Sequence, residues 1–340
     1  MELSIYCDTL DGPARAAALC EQLLDEARAR SQAVLCAYVL PGDVLALGRF
    51  HAIPPPPAAG AGVAVARRKS GGRPAPLGDG YLALALALPH RSALIGDDAG
   101  ALAPDQVLNR AVRGLLGAFE SLGVSASYPG RDLVTADRRV LAALGFEVAP
   151  DGATLVEACV AVRRSFAEVS RFADRADPAG IVPVDLVLPE QATSIVEAGG
   201  RAGDLDELTA ALAMGYAGRL GLDVTMSKGL PAPDPDPSWL EAGRLAPHFD
   251  RHAVARDMLG VIEVYAARDA GHVTDVRLCG DVIAASAVVA RLEAALRGAP
   301  IDRDELRRRA TEAVDGHGDV LLGVRSTATV GDLVHTACTG

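Results

Sequence analysis

Lysine is almost missing from this chain: of 33 basic side chains only two, Lys69 and Lys228, are lysines. Chemistry that needs a lysine therefore has two candidates. Aromatic residues are scarce at 4%, with a single tryptophan, so the apolar half of the chain rests largely on Ala and Val. The six cysteines (Cys7, Cys20, Cys36, Cys159, Cys279 and Cys338) form no C-x-x-C pair and no zinc spacing. That leaves buried, reduced thiols as the plain reading. No apolar run is long enough to span a membrane, and no cationic, apolar leader opens the chain. The expectation is a soluble, cytoplasmic protein. Net charge is −11 with a pI near 5.1, which argues against nucleic-acid and anionic-membrane partners while leaving room for a local basic pocket.

With 340 residues and half of them apolar, the chain can bury a sizeable core, as two domains or one with an appendage. Residues 2–7 read as a strand, and Pro13 opens a helix that runs to about residue 30. Strands AVLCAYVL and DVLALGR follow, joined at Pro41-Gly42. A loop, PPPPAAGAG (54–62), leads to the strand GVAVA, which delivers "ARRKSGGRPAPLGDG" (66–80). In YLALALAL the alternation puts Leu82, Leu84, Leu86 and Leu88 on one face and alanines on the other, where a close neighbour is expected.

A helix is expected over 105–123 and strands around 131–136, 138–144 and 153–162. A further helix is expected from Asp204 to about Leu220, with Glu207 as the capping-box partner. Prolines break up 228–250, which reads as a linker or a wrapped segment. Beyond it come a hairpin turning at Asp269-Ala270-Gly271 and helices near 284–297 and 302–314. The expected domains are 1–228, a linker over 229–256, and 257–340.

Alone, Arg67-Arg68-Lys69-Ser70-Gly71-Gly72 is a cation pair beside a glycine turn, more often a solvated strand end than a binding loop. Its context adds Gly48-Arg49 upstream and "GRDLVTADRR" about fifty residues on. With these elements the sequence resembles the lipoate–protein ligase A family, within the biotin/lipoate ligase group. Its members carry Gly-Arg, then R-R-x-S-G-G-G-A-V, then G-R-N-D-L leading to a lysine. The tail, with Gly280-Asp281, resembles that family's accessory C-terminal domain.

The resemblance implies an α/β (α+β) fold: a mixed β-sheet ligase-like domain with helices, plus a small C-terminal α+β accessory domain. It implies ATP and Mg²⁺, a carboxylic acid such as lipoate activated as an acyl-adenylate, and an amine acceptor such as a lysine of a carrier domain. Arg49, Arg67, Arg68, Ser70, Gly71, Gly72 and Arg73 would hold phosphate, since arginines screen approaching anions and glycine N–H groups can cradle them. Asp132 would support Mg²⁺. Lys69, Asp132 and Arg139 are the candidates for catalytic roles.

The sequence also departs from the pattern. Where the family continues Gly-Ala-Val, Arg73-Pro74-Ala75-Pro76 follow, and proline offers no N–H. Val140 takes the lysine position, with Arg139 one residue earlier and facing the other way on a regular strand. Cys159, the candidate for a thioester route, reads more simply as a core thiol, and His51 as a loop imidazole in solvent. Three readings stay open. One is a divergent ATP-dependent acyl ligase. Another is a lipoate–protein ligase in which Lys69 or Lys228 replaces the lysine. The third is a non-catalytic relative that binds an acyl group, a nucleotide or a protein.

Overall fold

The computed structural model describes residues 2–56, 60–180, 183, 187–227, 229–230, 233–315 and 319–340. Lys228 and the middle of the 54–62 loop lie outside the described residues. Strand β1 (Glu2–Thr9) is followed by helix α1 (Pro13–Arg30), β2 (Ala33–Val39), β3 (Asp43–Leu47), β4 (Val63–Arg67), β5 (Ala75–Gly78) and β6 (Tyr81–Leu88). Next come α2 (Val107–Ser121), β7 (Ala126–Ser127), β8 (Leu133–Ala136), β9 (Arg139–Val148), β10 (Thr154–Ala161), α3 (Glu168–Ala176), α4 (Leu205–Leu220) and β11 (Asp223–Met226). A one-turn α5 (Ser238–Glu241) precedes β12 (Arg251–Arg256), β13 (Val261–Asp269), β14 (His272–Gly280), α6 (Ser286–Leu296), α7 (Arg303–Asp315) and α8 (Ala328–Thr339).

Eight strands form a mixed sheet in the order β11-β1-β2-β6-β10-β9-β8-β7, with a small sheet β4-β3-β5 and a separate sheet β12-β13-β14. The alternation in β6 sorts as expected. Leu82, Leu84, Leu86 and Leu88 pack with α2 and α4 in one core, whereas Tyr81, Ala83, Ala85 and Ala87 pack with α1 in the other. Helices α2 and α4 touch backbone to backbone: a Cβ on Gly215 would lie 2.2 Å from the Gly114 carbonyl oxygen. The capping box at Asp204 and Glu207 forms in both directions, at 2.9 and 3.1 Å.

Two elements differ from the sequence reading. Ala75–Gly78, in the proline-interrupted stretch to which the sequence reading gave no strand, pairs antiparallel with β3. Pro76 is tolerated because β5 is an edge strand of its sheet. Residues 251–256, read as the end of the linker, form β12 and pair with β13, because the prolines stop before them. In the C-terminal domain the sheet and helices α6, α7 and α8 enclose a third core, and Phe50 of the first domain inserts into it.

Candidate functional site at the domain seam

The RRKSGG segment leaves β4 and passes directly beneath the C-terminal domain. Three glycines make that passage possible. A Cβ on Gly71 would stand 2.1 Å from the Val282 carbonyl oxygen, one on Gly145 of β9 2.1 Å from the Gly71 oxygen, and one on Gly48 2.1 Å from the Gly72 oxygen. Gly72 itself has φ +102°, a conformation that side chains disfavour. The loop is thus clamped between β9 below and the second domain above.

Its donors have partners within the chain. Ser70 N–H donates to Glu157 Oε2, a carboxylate buried on β10, at 2.5 Å. Gly72 N–H donates to the Val282 carbonyl at 2.7 Å. Arg73 grips Asp132 through Nε and Nη2, at 2.5 and 3.3 Å, and also donates to the Leu259 carbonyl. Burial pushes the Asp132 carboxyl above the usual range, and Arg73 pulls it back down. Both Asp132 oxygens therefore face an arginine. Among the described residues no group of three or more His, Cys, Asp or Glu side chains stands ready to hold a metal.

The two arginines part company at the end of β4. Arg68 turns inward and is buried. Its Nη2 donates to the Arg73 carbonyl at 2.7 Å, while Nε and Nη1, and the Ser70 Oγ nearby, have no hydrogen-bond partner. Arg67 turns outward to Trp239. Its Nη1 donates to the Trp239 carbonyl at 2.9 Å and the indole N–H donates back to the Arg67 carbonyl at 2.8 Å. Burial, with Arg277 and Arg49 nearby, lowers the Arg67 guanidinium to about 10. Arg49 reaches the Lys69 carbonyl and lies 3.5 Å from Glu147. Lys69 is buried as well, its Nζ 2.9 Å from Glu21 and 3.7 Å from the centre of the Trp239 ring.

Arg139 begins β9, six residues before Gly145, a separation of about 20 Å along a strand. The register shifts opposite Val134 and Thr135, and after the shift it is Val140 that shares a core with Ala143. Cys159 lies in the same core, and burial pushes its thiol up to about 11.

His51 overturns its expectation. It is fully buried, with Nε2 3.1 Å from Asp281 Oδ1. The second domain covers it, and that cover is not visible in the local sequence around His51. The other Asp281 oxygen accepts the Val261 N–H at 2.7 Å. At Gly280 a Cβ would come within 2.3 Å of the Val261 oxygen. The Gly-Asp pair therefore ties the C-terminal sheet to the first domain. Glu147 extends the seam by accepting both the N–H and the hydroxyl of Ser286, at 2.9 and 2.8 Å. Sequence reasoning missed both acidic anchors, Glu147 and Glu157, because each reads as a lone polar residue in an apolar strand.

Residues 246–317 match the family profile described as bacterial lipoate protein ligase C-terminus. The chain has the fold of a lipoate–protein ligase with its C-terminal domain. The whole ligase fold superposes on P. falciparum LipL1 in complex with lipoate, with a TM-score of 0.66 at 12% identity, covering 99% of this chain and 98% of that one. It also superposes on lipoate-protein ligase A bound with ATP, with a TM-score of 0.51 at 14% identity, covering 71% and 94%. By sequence, the chain matches none of the curated proteins. Among the described residues of this ligase fold, no helix is long and apolar enough to cross a membrane.

Proposed function

We propose that this chain is a divergent acyl ligase, which activates a small carboxylic acid such as lipoate with ATP and passes the acyl group to an amine, such as a lysine of a carrier domain. One observation carries the reading: the buried Arg68 guanidinium has two nitrogens without a partner, and Ser70 Oγ two residues on has none. A buried cation without a counter-ion is costly, by several kcal/mol on the order of a broken ion pair. A carboxylate or phosphate oxygen is the group that removes that cost.

In this reading Arg68 and Ser70 hold and orient the anion, and Arg68 supplies charge that the valine at position 140 cannot. ATP, when bound, supplies the phosphorus centre at which the acid is activated. Access requires Val282 to leave Gly72 N–H, and a metal role for Asp132 requires Arg73 to release it. The replaced-lysine route is less well supported, since Lys69 is committed to Glu21 and Trp239.

A second reading, the non-catalytic relative, is favoured by the Gly72–Val282 bond, which uses a donor that a phosphate would need. Acid-dependent pyrophosphate release over lipoate, octanoate and biotin separates the two. Release that Arg68→Ala lowers by about a hundredfold or more and Lys69→Ala leaves intact supports the ligase. No release with any acid gives the chain to the second reading.

A further inference from the structure

Beside Arg67, and without Arg68 in its lining, a groove of about 420 Å³ opens between the two domains. That volume lies within the ~300–1,000 Å³ usual for small-molecule sites. Arg49 and Arg67 enter it from the first domain and Arg277 and Arg297 from the second, with His248 from the linker and the carboxylates Asp275 and Glu293.

The charges do not cancel. Asp275 is held by Arg297 at 2.7 Å and His248 at 2.8 Å. Glu293 accepts the Leu278 N–H on Oε1 at 2.9 Å, lies 4.0 Å from Arg297 through Oε2, and faces Arg277 across more than ion-pair distance. Arg49 has Glu147 at 3.5 Å. Arg67 donates to the backbone carbonyls of Arg49 and Trp239, and Arg277 to those of Arg244 and Gly243 and to the Cys279 sulfur. Neither forms an ion pair among the described residues. Two guanidiniums, one from each domain, thus stand close enough to repel, in a groove where four arginines face two carboxylates.

We propose that this groove binds the phosphoryl group of a small phosphorylated anion between Arg67 of the first domain and Arg277 of the second. Two cations are balanced by a dianion, and a phosphoryl group carries about −1.5 to −2 near neutral pH where a carboxylate carries one charge. Guanidinium forks also match its oxygens two at a time. The site is independent of the acyl-ligase reading, which rests on Arg68 facing the other way. A bound phosphoryl group joins the domains across the groove.

Trp239, the single tryptophan of the chain, reports on the site, since Arg49, Arg67 and Lys69 lie 4.9, 4.3 and 3.7 Å from its ring centre. Titrating the full chain with inorganic phosphate, pyrophosphate and AMP, and with malonate as the carboxylate arm, should give a saturable change in Trp239 fluorescence for the phosphoryl anions. The three phosphoryl arms distinguish free phosphate from a phosphate ester. Arg277→Gln should weaken the response about tenfold or more, and Arg308→Gln, on the exposed face of α7 and paired there with Glu305 and Glu312, should leave it unchanged. Arg67→Lys, which keeps the charge and loses the fork, should weaken it too and serves if Arg277→Gln fails to fold. No saturable response at millimolar anion overturns the proposal. So does an equal response to malonate, or one that survives both arginine variants.

Discussion

Replacing Gly71 with alanine tests the seam most directly. The new methyl group would lie 2.1 Å from the Val282 oxygen, 3.1 Å from Ile283 Cα and 3.1 Å from Phe50 Cε2. The first of these is short of an ordinary contact by roughly 1.3 Å, and alanine has no rotamer with which to escape. Two of the three obstacles are backbone of the second domain, so either the loop or the domain must move. Overpacking of this kind costs about 1–3 kcal/mol. Movement also breaks the Gly72–Val282 hydrogen bond, for about 1 kcal/mol more, and strains the buried His51–Asp281 pair beside it. The expected loss is about 2–4 kcal/mol, concentrated in domain docking. Calorimetry should show the C-terminal domain melting earlier and separately, and protease should cut the 229–256 segment faster. Gly218, in α4 with nothing within 4 Å of an added Cβ, is the control: alanine there should stabilise by about 0.5–1 kcal/mol. Unfolding of Gly71→Ala that matched wild type would falsify the clamped-loop account.

Two further expectations concern ionisable groups. A thiol reagent applied to the native chain should modify Cys7, the one partly exposed cysteine, and spare Cys159, whose thiol is buried and raised to about 11; fast loss of Cys159 would mean that its core opens. Burial raises the carboxyls of Asp132, Glu147, Glu263 and Glu293 above their ordinary values, so the folded chain takes up these protons at higher pH than the unfolded chain. Their contribution to stability is present below the raised values and is lost as pH rises through them. In denaturant unfolding the native chain should gain stability relative to Glu293→Gln as pH falls; an identical pH dependence in the two chains would contradict the burial of that carboxyl.

The periodic elements were legible in the sequence because their signals are local: the Leu/Ala alternation of β6, the capping box at Asp204, and the hairpin turn at Ala270-Gly271, where both residues adopt positive φ. The RRKSGG loop was legible as a special backbone position, and Gly71 and Gly72 do occupy one. What presses on those glycines was not. Val282 and Gly145 come from distant parts of the chain, and no periodicity links them to the loop. The division of labour between Arg67 and Arg68 follows from strand alternation, yet their surroundings, Trp239 on one side and the loop interior on the other, emerge only with the fold. Helix α8 was passed over because its Thr, Val and Gly residues are poor helix formers, and strand β11 because it is only four residues long.

The Gly72 N–H has one proton, and the Val282 carbonyl already holds it. An anion that settles on the loop and a second domain that sits on the loop therefore draw on the same donor. Each must weaken the other by an equal factor, since coupling between two binding equilibria is reciprocal. The measured affinity of the loop for an anion is then its intrinsic affinity reduced by the fraction of chains in which the domains have parted. A weak apparent affinity in the full chain would measure the strength of domain docking, and substitutions at the seam far from any ligand would tune it.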